Sequence, residues 1–162
     1  MMVCSGNTCR SPMAQKLLEK NVGEYCIREE KNKKDNVGAY CIRPEEDIEV
    51  YSCGTNAETG AFATYNAIAV MEEYNIDLNS HRATNIIDSK IQEMDLVLCM
   101  SKSNKDAVLY MYPELKEKVF TLKEYAGYDK ADLNISDPWG AGLSTYRFCA
   151  AEINECIEKI EF

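Results

Sequence analysis

Four short apolar runs punctuate the chain: MMV at 1–3, IEVYS at 48–52, DLVLCM at 95–100 and KVFTL at 118–122. Segments with helical spacing lie between and after them, at 11–20, 61–74, 102–111 and 143–160. This alternation constrains the fold more than any other feature. Strands of four to six residues that alternate with helices pair in parallel, because the helix supplies the crossover that a tight turn cannot. The expected fold is therefore α/β: a three-layer sandwich with a four-stranded parallel sheet flanked by helices on both faces. In the last helix Leu143, Phe148, Ala151, Ile153, Ile157 and Ile160 offer an apolar stripe. A length of 162 residues suits one domain with one well-buried core. Ligands in such sheets bind beyond the carboxyl ends of the strands, so the loop after the first strand is the place to look.

Charge narrows the partners. Eighteen Lys and Arg stand against 27 Asp and Glu, a net charge of -9, which argues against nucleic acid or an anionic membrane as partner. No apolar run is long enough to span a bilayer, and MMVCSGNTCR lacks the apolar region of a secretory signal, so the expected location is cytoplasmic. Eight cysteines include no Cys-x-x-Cys pair, and one histidine, His81, leaves no zinc spacing. Most of the thiols read as reduced, small apolar side chains, Cys99 most plainly. Neither a metal nor a cofactor is expected.

The loop after the first strand reads VCSGNTCRSP, residues 3–12. A loop closing between a strand end and a helix start turns its N–H groups inward, and such a nest binds a tetrahedral oxyanion. Ser5, Gly6, Asn7, Thr8, Cys9 and Arg10 would line it, with Gly6 giving the backbone its freedom to curl. Arg10, six residues after Cys4, can close the ring with a planar fork that bonds two phosphate oxygens at once. Ser11 and Pro12 suit a helix start as capping hydroxyl and residue without an N–H. Cys4 at the floor of this bowl would be favoured as a thiolate and aimed at phosphorus. Cys9 has two open readings: packing, or a reversible disulfide with Cys4 that guards against overoxidation.

Transfer of a phosphoryl group from a poor leaving group also needs a proton donor facing the bowl. Asp137 in NISDPWGAG is the candidate: Pro138 stiffens the turn, Trp139 offers a ring wall, and Gly140 and Gly142 let the loop bend. Asp137 would have to carry its proton while Cys4 has lost one, so their surroundings must treat them differently. One further stretch stands apart. VGEYCIREE at 22–30 recurs as VGAYCIRPEE at 37–46, and this duplication reads as a surface loop inserted after the first helix, at about 22–46 of a single domain spanning 1–162.

Taken together, these residues resemble the low-molecular-weight protein tyrosine phosphatases, whose loop runs V-C-x-G-N-x-C-R-S-P and whose acid lies in a late D-P-aromatic loop. The likeness covers nearly the whole chain except 22–46. It implies Cys4 as nucleophile, Arg10 as phosphate clamp and Asp137 as general acid and later base. It also implies that Asn7 shapes the loop, that Ser11 stabilises the thiolate, that His81 supports the asparagine, and that the partners are phosphorylated proteins. Only Met1, Met2 and Val3 precede Cys4, where the family usually has more apolar residues, so the central strand is expected to be short.

Within that family, one branch acts on phosphoarginine, and three features are similar to it: Thr8 where tyrosine phosphatases usually carry Ile, DPWG in place of DPYY, and VFTLKEY at 119–125. A threonine gives the pocket wall a hydroxyl that can meet a polar N–P centre, while Asp137 pairs with the guanidinium nitrogens. Thr8 and Trp139 are thus the expected specificity wall, and a protein-arginine phosphatase working through a phosphocysteine is the expected function. A tyrosine phosphatase is the alternative. Arsenate reduction ranks lower, since it needs two further cysteines on a mobile segment and no cysteine follows Cys99 until Cys149. A phosphate-binding module without turnover is a third class, which one assay with an aryl phosphate would separate.

Overall fold

Strands buried on both faces hold the molecule together. A computed structural model describes residues 1–33 and 48–160. Four three-residue strands, β1 (Met2–Cys4), β2 (Ser52–Gly54), β3 (Val97–Cys99) and β4 (Val119–Thr121), form one parallel sheet in the order β2-β1-β3-β4. The helices are α1 (Arg10–Lys33), α2 (Tyr65–Glu73), α3 (Lys102–Met111), α4 (Leu122–Tyr125) and α5 (Leu143–Glu158), with short 3-10 turns at 86–88, 91–93 and 113–115. Successive strand residues point to opposite faces, and the core divides accordingly. Met2, Cys4, Leu98 and Met100 pack with Leu17 of α1, Met71 of α2 and Ile153 of α5. Val3, Cys53, Val97, Cys99 and Val119 pack with Val108 of α3, Ile86, Ile91 and Leu115. This is the three-layer α/β arrangement expected from the sequence. Each large side chain as deeply buried as Ile153 contributes about 1.5–3 kcal/mol of apolar transfer.

Several boundaries differ from expectation, each for a contact the sequence does not display. β2 lies at 52–54 rather than 48–52, because its register is set by β1, with Met2 opposite Ser52 and Cys4 opposite Gly54. α2 begins at Tyr65 rather than near 61. Phe62 is bridged to Arg82 in extended conformation, and Thr64 then caps the helix by accepting from the Ala67 N–H. α1 continues past residue 20 to Lys33, so the first copy of the repeat is helical rather than a surface loop. Apart from Gly23, its sequence from 21 to 33 holds no helix breaker. The second copy, 37–46, lies outside the described residues. On α5 the buried positions are Tyr146, Cys149, Ala150, Ile153, Cys156 and Ile157, whereas Phe148 and Ala151 of the expected stripe are exposed. The buried set keeps strict i, i+3, i+4 spacing, and position 148 falls outside it. β1 is short, as expected, but no shorter than its three neighbours.

Among the described residues, no helix is long and apolar enough to cross a membrane.

Candidate active site

The chain leaves β1 at Cys4 and enters α1 at Arg10, and the five-residue interval closes on itself as a bowl at the carboxyl end of the sheet. Neighbouring loops fix its outside. The Thr55 N–H donates to the Cys4 carbonyl, Asn56 N–H to the Ser5 carbonyl, and Thr64 N–H to the Thr8 carbonyl, each at 2.9 Å. Gly54 lies so close behind that a β-carbon on it would sit 2.5 Å from the Ser5 oxygen and 2.9 Å from the Asn7 nitrogen. Glycine is therefore required there by close approach.

Asn7 is the keystone. It is fully buried and holds a left-handed conformation, φ 52°, which asparagine tolerates better than other residues with a side chain. Its Nδ2 donates to Ser11 Oγ (2.9 Å) and Ser52 Oγ (3.0 Å), and its Oδ1 accepts from the Thr84 N–H (2.8 Å). Its own N–H donates to Cys4 Sγ at 3.2 Å. Its carbonyl lies 2.8 Å from His81 Nε2; since a carbonyl only accepts, His81 carries its proton on Nε2. Burial lowers the His81 pKa below 6.5, against the opposing pull of the Asn7 bond.

Ser11 sits inside the first turn of α1, not at its cap as the sequence suggested, because the helix already starts at Arg10. Its hydroxyl instead lies 3.0 Å from Cys4 Sγ and 3.3 Å from the Cys53 carbonyl. With Asn7 donating to that oxygen, its single proton is free for one of the two acceptors. A thiolate, being charged and nearer, is the stronger claimant. Deeper in the core, burial pushes the Cys53 thiol up to about 11 and Cys149 up to about 12, and Cys99 is raised as well. They are protonated packing side chains, as read from the sequence.

Arg10 and Asp137 meet across the bowl. Arg10 Nη2 donates to Asp137 Oδ2 at 2.6 Å and Nη1 to the Ile135 carbonyl at 3.4 Å. Asp137 Oδ1 accepts from the Trp139 N–H at 3.2 Å, which curls the acid loop. The cleft between loop and bowl encloses about 390 Å³ and is lined by Cys4, Ser5, Gly6, Thr8, Cys9, Arg10, Asp137 and Trp139. Asn7, Ser11 and His81 stand behind this lining as supports. A larger cavity of about 510 Å³, with Met1, Met94 and Leu98 among its walls, contains none of the predicted residues.

Residues that sequence reasoning missed complete the site. Asn56 lines the cleft. Asn104, 3 % exposed, donates to Ser5 Oγ at 3.1 Å and is itself held by Ser101, whose place before a helical run was a readable capping signal. Cys9 Sγ lies 3.2 Å from the Tyr146 hydroxyl and 3.5 Å from Thr64 Oγ1; burial pushes Tyr146 up to about 12, so its hydroxyl keeps its proton. Nothing in one sequence announces Tyr146. Both Cys4 and Cys9 are free thiols.

Comparison with known proteins places the chain among phosphatases. Residues 36–161 match the model of the low molecular weight phosphotyrosine protein phosphatase family. A protein-arginine-phosphatase of Geobacillus stearothermophilus is 32% identical over 160 residues, covering 99% of this chain and 91% of that protein. The structure of a low molecular weight protein tyrosine phosphatase from T. tengcongensis superposes with a TM-score of 0.76 at 34% identity, over 98% of this chain and 93% of that one. So does a Cys→Ser mutant of the YwlE arginine phosphatase with a phosphorylated active-site serine: TM-score 0.76, 27% identity, 98% and 90% coverage.

Proposed function

Because the chain belongs to the low molecular weight phosphotyrosine protein phosphatase family, we propose that it hydrolyses phosphoarginine on proteins through a phosphocysteine at Cys4. The observation that carries this reading is the pair of groups able to donate to one sulfur, the Asn7 N–H at 3.2 Å and the Ser11 hydroxyl at 3.0 Å, beneath a clamp already joined to an acid.

Substrate phosphate enters the bowl, where the inward N–H groups and Arg10 neutralise its charge. It competes with Asp137 for the guanidinium, which frees the carboxyl to face the leaving group. The Cys4 thiolate attacks phosphorus, the P–N bond breaks with its electron pair going to the arginine nitrogen, and Asp137 gives that nitrogen a proton. Asp137, now a carboxylate, takes a proton from water as the water oxygen attacks the phosphocysteine. The S–P bond breaks, the electron pair returns to sulfur, and inorganic phosphate leaves. The Ser11 hydroxyl and Asn7 N–H receive the returning thiolate. The residues of this chain account for every proton, and we assign no metal or cofactor. The partners are phosphorylated proteins, and the location we propose is cytoplasmic.

Preference for arginine rests on Thr8 and Trp139 in the lining and on the names of the similar proteins. The tyrosine alternative draws on the family model and the T. tengcongensis structure. A side-by-side measurement of kcat/KM on phosphoarginine and phosphotyrosine peptides separates them. Wild type should favour phosphoarginine, and Thr8→Ile should shift the ratio toward phosphotyrosine by about tenfold or more. A wild-type preference for phosphotyrosine supports the alternative, and an unchanged ratio in the variant removes Thr8 as the cause.

A further inference from the structure

The VFTLKEY stretch marks a likeness to the arginine branch, yet none of its residues lines the cleft. Its lysine is the unusual one. Lys123 is 4 % exposed, and lysine is almost never buried unless it is paired. Its Nζ donates to both oxygens of Asp132 at 2.8 Å and to Glu152 Oε1 at 2.6 Å. Burial alone would lower the Lys123 pKa, but the bonds to these two carboxylates more than offset it and raise it, so the charge is kept.

The second oxygen of Glu152 does something else. Glu152 Oε2 accepts the N–H of Ser136 at 2.9 Å, and Ser136 immediately precedes Asp137. Among the described residues, this is the nearest main-chain hydrogen bond on the N-terminal side of Asp137. The Ile135 N–H is taken by the Met100 carbonyl, and Asn134 Oδ1 by the Lys102 N–H, so residues 134 and 135 are fixed from the start of α3 and the residue that follows β3. The last step to the acid is fixed from α5, through a carboxylate that a buried ammonium holds in place. Lys123 also ties Asp132, so both ends of the 132–136 segment hang from one nitrogen. Charge balance requires the same arrangement. Glu152 adds a second carboxylate at the base of the acid loop, and without Lys123 that negative charge would be uncompensated in a largely buried setting.

We propose that Lys123 and Glu152 are positioning residues for proton transfer, setting where the Asp137 carboxyl stands relative to the leaving group. This rests on the reading of Asp137 as general acid. It predicts an effect confined to substrates whose departing atom needs a proton.

The test uses the full chain and kcat/KM on two aryl phosphates: phenyl phosphate, whose leaving group needs protonation, and 2,4-dinitrophenyl phosphate, whose leaving group does not. Asp137→Asn comes first; if it lowers both rates alike, the general-acid reading itself fails. Given a selective loss there, Glu152→Ala, which leaves Lys123 paired with Asp132, should lower phenyl phosphate turnover about tenfold or more. It should lower dinitrophenyl phosphate turnover less than about threefold. Glu152→Gln, which keeps an oxygen for the Ser136 N–H, should restore most of the loss. In an Asp137→Asn background, Glu152→Ala should cost nothing further on phenyl phosphate. Lys123→Met should reproduce the selectivity, and provides a second reading should Glu152→Ala fail to fold. An equal loss on both substrates, a loss that persists without the acid, or unchanged rates would overturn the proposal.

Discussion

Removing the side chain of Asn7 should be among the most damaging single truncations in this protein, and the structure gives its size. Three hydrogen bonds disappear in Asn7→Ala: those to Ser11, Ser52 and the Thr84 N–H. The two hydroxyls lose an accepted bond but each still has an acceptor for its own proton, Gln15 for Ser52 and Cys4 or Cys53 for Ser11. The Thr84 amide cannot turn, and a half-buried donor left without an acceptor costs about 1–2 kcal/mol. Alanine at φ 52° adds about 1 kcal/mol of backbone strain. Asn7→Ala should therefore lose about 2–3 kcal/mol, a large part of the roughly 5–15 kcal/mol that a domain has. Asn7→Gly removes the same hydrogen bonds without the left-handed penalty and should be more stable than Asn7→Ala by about 1 kcal/mol. Urea unfolding followed by far-UV circular dichroism measures both differences. If both variants lie within about 0.5 kcal/mol of wild type, or if glycine is no better than alanine, the account of the loop is wrong.

Two further perturbations probe the same support. Gly54→Ala drives a methyl group against the Ser5 oxygen and Asn7 nitrogen, both backbone atoms, and should cost about 1–3 kcal/mol while raising the inhibition constant for inorganic phosphate. Unaltered phosphate inhibition would show that the bowl does not depend on that approach. His81 is the chain's one histidine, and its folded value lies below 6.5, so the unfolded chain takes up the proton more readily. Stability present at neutral pH is then lost as pH falls through 6.5 toward the lowered folded value. His81→Gln, whose amide can still donate to the Asn7 carbonyl, should flatten that slope in urea midpoints taken across the window. An equally steep decline in the variant would assign the dependence to other groups.

What the sequence displays and what it hides divide along a physical line. The loop, the clamp and the acid announce themselves because their chemistry needs particular residue types at particular spacings, as in Cys4 to Arg10. The layered fold is legible because Met2, Val3 and Cys4, or Val97, Leu98 and Cys99, alternate between two cores. Boundaries set by distant partners are not legible. Thr64 starts a helix where it does because residues 60–63 are pinned beside 81–84. Tyr146, Asn104 and Glu152 act over separations of 137, 99 and 16 residues, and no local pattern encodes such meetings. Ser11 was read as a cap because its type suits one, while its hydroxyl is committed to sulfur.

The glycine behind the bowl carries one more lesson, for anyone hoping to move this chemistry elsewhere. CSGNTCR is not a portable cassette, because half of its mould belongs to the adjoining strand at Gly54, the Thr84 amide and Asn104. Grafted into another α/β scaffold without those three, the heptapeptide would keep its letters and lose its shape.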